Sequence, residues 1–144
     1  MKTIYETSAI NTGGREGEAY TEDGNLKVKV DKPKEMGGTA TTETNPEQLF
    51  AAGYSTCFNS ALELVLKAAH KDYESSQVKA VVRLVEDPDD KNSFKLDVDL
   101  AADIKGLSQA DAEKFIKIAH KHCPYSKALK GNVNVNLSAT GSEG

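Results

Sequence analysis

Apolar and polar residues alternate over residues 25–31, NLKVKVD, where Leu26, Val28 and Val30 fall on one side of an extended chain. Such a period of two predicts a strand with one buried face. The preceding GGREGEAYTEDG (13–24) holds a second short strand between Gly-rich turns, and residues 2–10 are expected to pair as a third. Lys34 to Thr44 has loop composition, with Gly37 and Gly38 as its flexible point. The pattern then changes to helix. Asn45 is placed to cap it, Pro46 fits the first helical position, and Gln48 completes a capping-box spacing. Phe58, Ala61, Leu62, Val65, Leu66 and Ala69 recur at helical intervals, and Leu64 and Ala68 widen the apolar surface. This predicts a helix buried on most sides.

Period-two alternation returns at 77–86, with Val78, Ala80, Val82 and Leu84, and at 93–103, with Phe94, Leu96, Val98 and Leu100. DPDDKNS (87–93) has hairpin-turn chemistry, so these two strands should be antiparallel. Ser108, with Asp111 three residues on, marks the start of a second helix. Its inner stripe is Ala112, Phe115, Ile116, Ala119 and finally Cys123. NVNVNLS (132–138) closes the chain as a strand before a small polar tail. The expected fold is α+β, antiparallel sheets around central helices, in a single domain spanning 1–144.

Composition narrows the functional classes. A chain of 144 residues, 38% hydrophobic and 28% charged, is long enough to bury a core. A net charge of -4, no Trp and no Lys/Arg cluster argue against nucleic acid as a partner. No apolar stretch approaches the ~18 residues of a membrane span, and MKTIYETSAI has no uninterrupted apolar signal region. The expected compartment is the cytoplasm, where thiols are kept reduced and a purely structural disulfide is not expected.

Two cysteines then become the chemistry to consider. Cys57 and Cys123 are 66 residues apart, which is neither a C-x-x-C motif nor a zinc knuckle. If Ser55 caps a helix that begins at Thr56, Cys57 lies in the first turn, where the helix dipole favours a thiolate. A small buried hydrophobe explains Cys57 as well, and Cys123 equally continues a buried stripe. Arg15, alone in the Gly-rich GGREG, can either stabilise an anion or stand solvated in a turn. Glu47 lies ten residues before Cys57, about 15 Å along one straight helix. It reaches the thiol only if the helix breaks near Gly53 or if it acts through Arg15; otherwise it complements the helix dipole. His120 and His122 point to different sides of a helix, a poor arrangement for a shared metal, and all three histidines, His70 included, read as solvated helix ends.

Taken together, GGREG, NPEQLFAAGYSTCF and HKHCPYS, in this order and spacing, resemble the organic hydroperoxide resistance proteins of the OsmC superfamily. The resemblance runs over essentially the whole chain, including LKVKVDKPKEMGG and GLSQADAE, and departs from it at Asn59, Ser60, Lys127 and Leu129. It implies an intertwined α+β homodimer in which Cys57 is the peroxidatic cysteine and Cys123 the resolving one. Arg15 would pair with the thiolate and Glu47 would orient Arg15. The resemblance further implies reduction of organic hydroperoxides to alcohols, a Cys57–Cys123 disulfide, and re-reduction by dihydrolipoamide on lipoylated proteins, with no bound cofactor or metal. Met36, Leu49, Phe50 and Phe58 are the apolar residues expected to form the substrate pocket. Two other readings remain open: a redox-sensing or apolar-ligand-binding dimer, and a Cys–His hydrolase.

Overall fold

The computed structural model describes residues 1–142, and the chain divides into two compact units, 1–49 and 50–144. In the first unit, β1 (Ile10–Thr12), β2 (Gly17–Tyr20) and β3 (Lys27–Val30) form an antiparallel sheet in sequential order. The strand expected over 2–10 is realised only from Ile10. That residue pairs with Tyr20, and beyond Tyr20 the chain turns at Thr21–Gly24, so residues 2–9 have no strand to pair with. Val30 is buried and Val28 half-buried, while Leu26 lies outside the strand and is exposed. A 3-10 turn, Lys34–Met36, interrupts the loop that follows. Thr44 then docks beside β3, its amide bonding the Lys29 carbonyl and its carbonyl accepting from the Asp31 amide.

That docking sets the start of α1 (Pro46–Ala68). Asn45 Oδ1 accepts the Gln48 amide at 2.8 Å, as the cap spacing predicts. The Gln48 side chain does not return to Asn45; its oxygen accepts from the Thr44 hydroxyl at 2.7 Å. The helix is unbroken for 23 residues, so no fold-back occurs at Gly53.

The second unit holds the main core. Tyr54, Phe58, Ala61, Leu62 and Leu66 of α1 are buried in one cluster with residues of β5 and α2. Its sheet is ordered β4 (Ser75–Glu86), β5 (Phe94–Lys105), β6 (Val135–Ser142). β4 and β5 form the expected antiparallel pair, in register from Ser75↔Lys105 to Glu86↔Phe94. β6 runs parallel to β5, from Val98↔Val135 to Lys105↔Ser142. The expectation of purely antiparallel sheets is corrected here, because β6 arrives through a helical crossover, the connection that parallel neighbours require. The final strand also starts later than residue 132, since the Asn132 and Val133 amides bond back to the Leu129 carbonyl. The last two residues of the polar tail, 143 and 144, lie outside the described residues.

The crossover consists of α2 (Gln109–His122) and α3 (Pro124–Leu129), the latter not foreseen from sequence. Ser108 Oγ accepts the Asp111 amide at 3.2 Å, and Ala112, Phe115, Ile116, Ala119 and Cys123 are all buried, as the stripe predicts. Pro124 at the first position of α3 needs no amide partner there, which lets a new helix begin directly after Cys123.

Two expectations about α1 are corrected. Leu64 is 66% exposed and Ala68 is exposed, so the helix is buried on one face rather than most. It is also long and apolar enough, by length and composition alone, to cross a membrane. The reason is local: the core-facing stripe and the exposed Leu64 lie on the same helix, and together they lengthen the apolar run.

Candidate active site

The first group of interest is an ion pair. Gly13 and Gly14 adopt φ of 83° and 61°, left-handed values that a glycine tolerates without strain. Asn11 clamps the turn they form: its Nδ2 donates to the Gly14 and Glu18 carbonyls at 3.1 and 3.0 Å, and its Oδ1 accepts the Gly14 amide at 3.0 Å. Arg15 projects from this fixed turn. Its Nη2 and Nη1 bond Glu47 Oε1 and Oε2 at 2.7 and 3.0 Å, a two-pronged fork between guanidinium and carboxylate. Arg15 holds the Glu47 carboxyl below the usual carboxylate range, against the opposing effect of burial. Hydrogen bonding to Glu47 raises Arg15 in turn. Glu47 faces Arg15 through this fork and also stands in the first turn of α1, where an acid complements the helix dipole.

The second group is the thiol pair. Because α1 begins at Pro46, Cys57 sits mid-helix and Ser55 is no cap; the Ser55 hydroxyl donates back to the Ala52 carbonyl at 3.1 Å. The expected first-turn stabilisation of a Cys57 thiolate is therefore absent. Burial pushes the Cys57 thiol above its ordinary value, the Tyr125 backbone N–H opposes that, and the Cys123 thiol adds to it. Cys123 Sγ lies 3.5 Å from Cys57 Sγ, oriented to donate to it, and both are free thiols. Their exposure differs: Cys57 is partly accessible and Cys123 is fully buried. Cys123 ends α2, its amide bonding the Ala119 carbonyl, and its own carbonyl accepts the Lys127 amide in α3.

Aromatic rings gather around this pair. Tyr125 lies with its ring centroid 5.9 Å from Phe50 and 5.8 Å from Tyr54. A Cβ added at Gly53 would stand 2.6 Å from the Tyr125 hydroxyl, so the absence of a side chain there is what lets the ring rest on α1. Phe50 is half-buried in this group. Phe58 is 1% exposed and belongs to the core, 6.5 Å from the Tyr54 ring. Met36 lies in the 3-10 turn of the first unit, exposed, and Leu49 is half-buried early in α1.

Sequence reasoning missed a third group. The Tyr54 hydroxyl and Ser126 Oγ are 2.6 Å apart in the core, and His120 Nδ1 lies 2.8 Å from the same Ser126 oxygen. Burial raises Tyr54 and lowers His120. His120 is thus a half-buried, hydrogen-bonded ring rather than a solvated helix end, whereas His122 is exposed. The available signal was spacing: Tyr54 is three residues before Cys57, and Ser126 three after Cys123. Asn59, a departure from the family pattern, ties α1 to β4 by donating to the Ser76 carbonyl at 3.2 Å and accepting the Ser76 hydroxyl at 2.8 Å.

The sequence profile of the family described as OsmC-like protein matches residues 37–138. The chain belongs to the OsmC-like family. It is 50% identical over 139 residues to organic hydroperoxide resistance protein-like 1 of Staphylococcus epidermidis, covering 96% of each chain. The crystal structure of an organic hydroperoxide resistance protein from Elizabethkingia anophelis matches with a TM-score of 0.92 at 42% identity, covering 99% of this chain and 100% of that one. That of OhrB from Bacillus subtilis matches with a TM-score of 0.86 at 37% identity, covering 96% and 100%. The resemblance seen in GGREG, NPEQLFAAGYSTCF and HKHCPYS thus extends to the fold of this OsmC-like chain.

Proposed function

We propose that this protein is a thiol peroxidase that reduces organic hydroperoxides to alcohols. The observation that carries the reading is the 3.5 Å approach of a partly accessible Cys57 to a fully buried Cys123. An oxidant from solvent meets Cys57 first, and the second thiol is already in place for the product of that encounter. The names of organic hydroperoxide resistance carried by the curated relatives and by OhrB support the substrate class.

In this mechanism the Cys57 thiolate attacks the distal oxygen of the hydroperoxide. The O–O bond breaks, the departing alkoxide takes a proton to become the alcohol, and Cys57 is left as a sulfenic acid. The Cys123 sulfur then attacks the Cys57 sulfur, forming the disulfide and releasing water. Attack by a thiolate rather than a thiol gives a nearby cation a kinetic purpose. That role is assigned to Arg15, with Glu47 fixing the direction of its guanidinium. Phe50 and Tyr125, with Met36 and Leu49, are assigned to the apolar part of the substrate; Phe58 serves from the core beneath. An external dithiol, dihydrolipoamide on a lipoylated protein, reopens the disulfide by exchange and leaves as its own disulfide. No cofactor stays bound. The protein works as a cytoplasmic homodimer, and a second chain covering the exposed Leu64 face of α1 would account for that apolar surface.

The test is consumption of cumene hydroperoxide and of hydrogen peroxide, each with dihydrolipoamide, by wild type and Cys57→Ser. Multiple turnover that prefers the organic peroxide and vanishes in the variant is the expected result. Turnover retained without Cys57 would sink the assignment.

A further inference from the structure

Away from the two sulfurs, a cavity of about 610 Å3 lies beside the end of α2, α3 and the segment leading into β6. Its size falls within the range of small-molecule sites, roughly 300–1,000 Å3. Three cations, Lys121, Lys127 and Lys130, line it, and no Asp or Glu is among its lining residues. In a chain of net charge -4, that is a local reversal of sign. Val133 and Val135, packed against the hydrophobic core, supply an apolar wall. At the inner side are His120 and Ser126, the latter 3% exposed and joined to His120 at 2.8 Å. When Ser126 donates to Nδ1, the ring proton sits on Nε2, a donor suited to an anionic oxygen. The segment that forms the wall is itself tied down, with Lys95 Nζ donating to the Asn132 carbonyl at 3.2 Å.

We propose that this cavity is a binding site for a small amphiphilic carboxylate. The tail lies along Val133 and Val135, and the carboxylate sits among the three lysines with a hydrogen bond from His120. Charge selects the head group, because an anion entering a cavity with three cations and no acid gains attraction at little competing repulsion. The apolar wall selects for a tail, because methylenes laid along it leave water. Neither cysteine lines this cavity, and its test does not depend on peroxidase activity.

The experiment is NMR and calorimetric titration of the reduced protein with octanoate, octanol and acetate. Octanoate should bind saturably, one per chain, shifting the His120 ring and the Val133 and Val135 methyls. Octanol, with the tail alone, and acetate, with the charge alone, should each bind at least ten-fold more weakly. The double variant Lys127→Gln/Lys130→Gln, with its thermal midpoint checked, should lose at least ten-fold in octanoate affinity. The proposal is overturned if octanoate shifts Phe50 and Tyr125 instead of His120. It is also overturned if acetate or octanol binds as well as octanoate, or if the folded double variant binds unchanged. Should that variant fail to fold, the comparison of the three ligands on wild type still decides.

Discussion

Cys123 Sγ stands 3.5 Å from Cys57 Sγ, with the Cys123 thiol donating to Cys57. A bonded pair is about 2.0 Å apart. The two sulfurs are near enough to join after a small adjustment, yet they are separate thiols here. Cys123 should therefore act after Cys57, not in its place. Cys123→Ser is expected to reduce one equivalent of hydroperoxide and then accumulate sulfinic and sulfonic acid at Cys57. Intact-mass spectrometry during peroxide titration reads this directly. Normal cycling of that variant with dithiol would remove Cys123 from the mechanism.

Burial and the neighbouring thiol hold Cys57 above its ordinary value, which disfavours the reactive form. The cation proposed for the thiolate must act against both. In a Cys123→Ser background, the rate of Cys57 alkylation by iodoacetamide should rise with pH as the thiolate forms. Arg15→Met should move that rise to higher pH, because the thiolate loses its proposed counter-charge. A midpoint that stays where it was would take Arg15 out of the role.

The Arg15–Glu47 fork also has a signature in stability. Glu47 is held below the unfolded carboxylate value of about 4.3. Its contribution is therefore complete above that value and lost as pH falls through the folded one. Partial exposure of both side chains keeps it near 1 kcal/mol after solvent screening. Urea unfolding of Glu47→Gln should show a deficit of that order at pH 7, shrinking below about pH 4. A deficit independent of pH would mean that the carboxylate charge is not what matters.

Much of this arrangement could be read from the sequence because local chemistry dictates it. The Asn45 cap, the Ser108 cap and the stripe ending at Cys123 all depend on residues within a few positions of one another. The same is true of the β4–β5 hairpin. What escaped was set by distant partners. The parallel seat of β6 depends on which edge of the sheet the crossover reaches. The link of Tyr54 to Ser126 spans 72 residues, and only their equal offsets from the two cysteines hinted at it. The position of Cys57 in its helix is a further case: Ser55 has the chemistry of a cap, but the helix begun at Asn45 runs on without a break and leaves Ser55 inside it. Arg15 and Glu47 each stood out as candidates, but their pairing came only through the family pattern, since they lie 32 residues apart in sequence.

The Tyr54–Ser126–His120 group offers a stability test of its own. Ser126→Ala would leave the Tyr54 hydroxyl and His120 Nδ1 both without their buried partner. A cost of about 1–3 kcal/mol is expected in denaturant unfolding. Tyr54→Phe removes one of those bonds together with its own hydroxyl and should cost less. The double variant should then cost less than the sum of the two, because one shared bond is counted in each.

The parallel seat of β6 carries a consequence for the thiols. Gln109, at the start of α2, donates to the Ala139 carbonyl at 2.8 Å and accepts the Gly141 amide at 2.7 Å, so the last strand anchors the helix that ends at Cys123. The helix that presents Cys123 is thus held at its far end by a strand that contains neither sulfur, so the position of the resolving thiol is tied to the edge of the sheet as well as to the core.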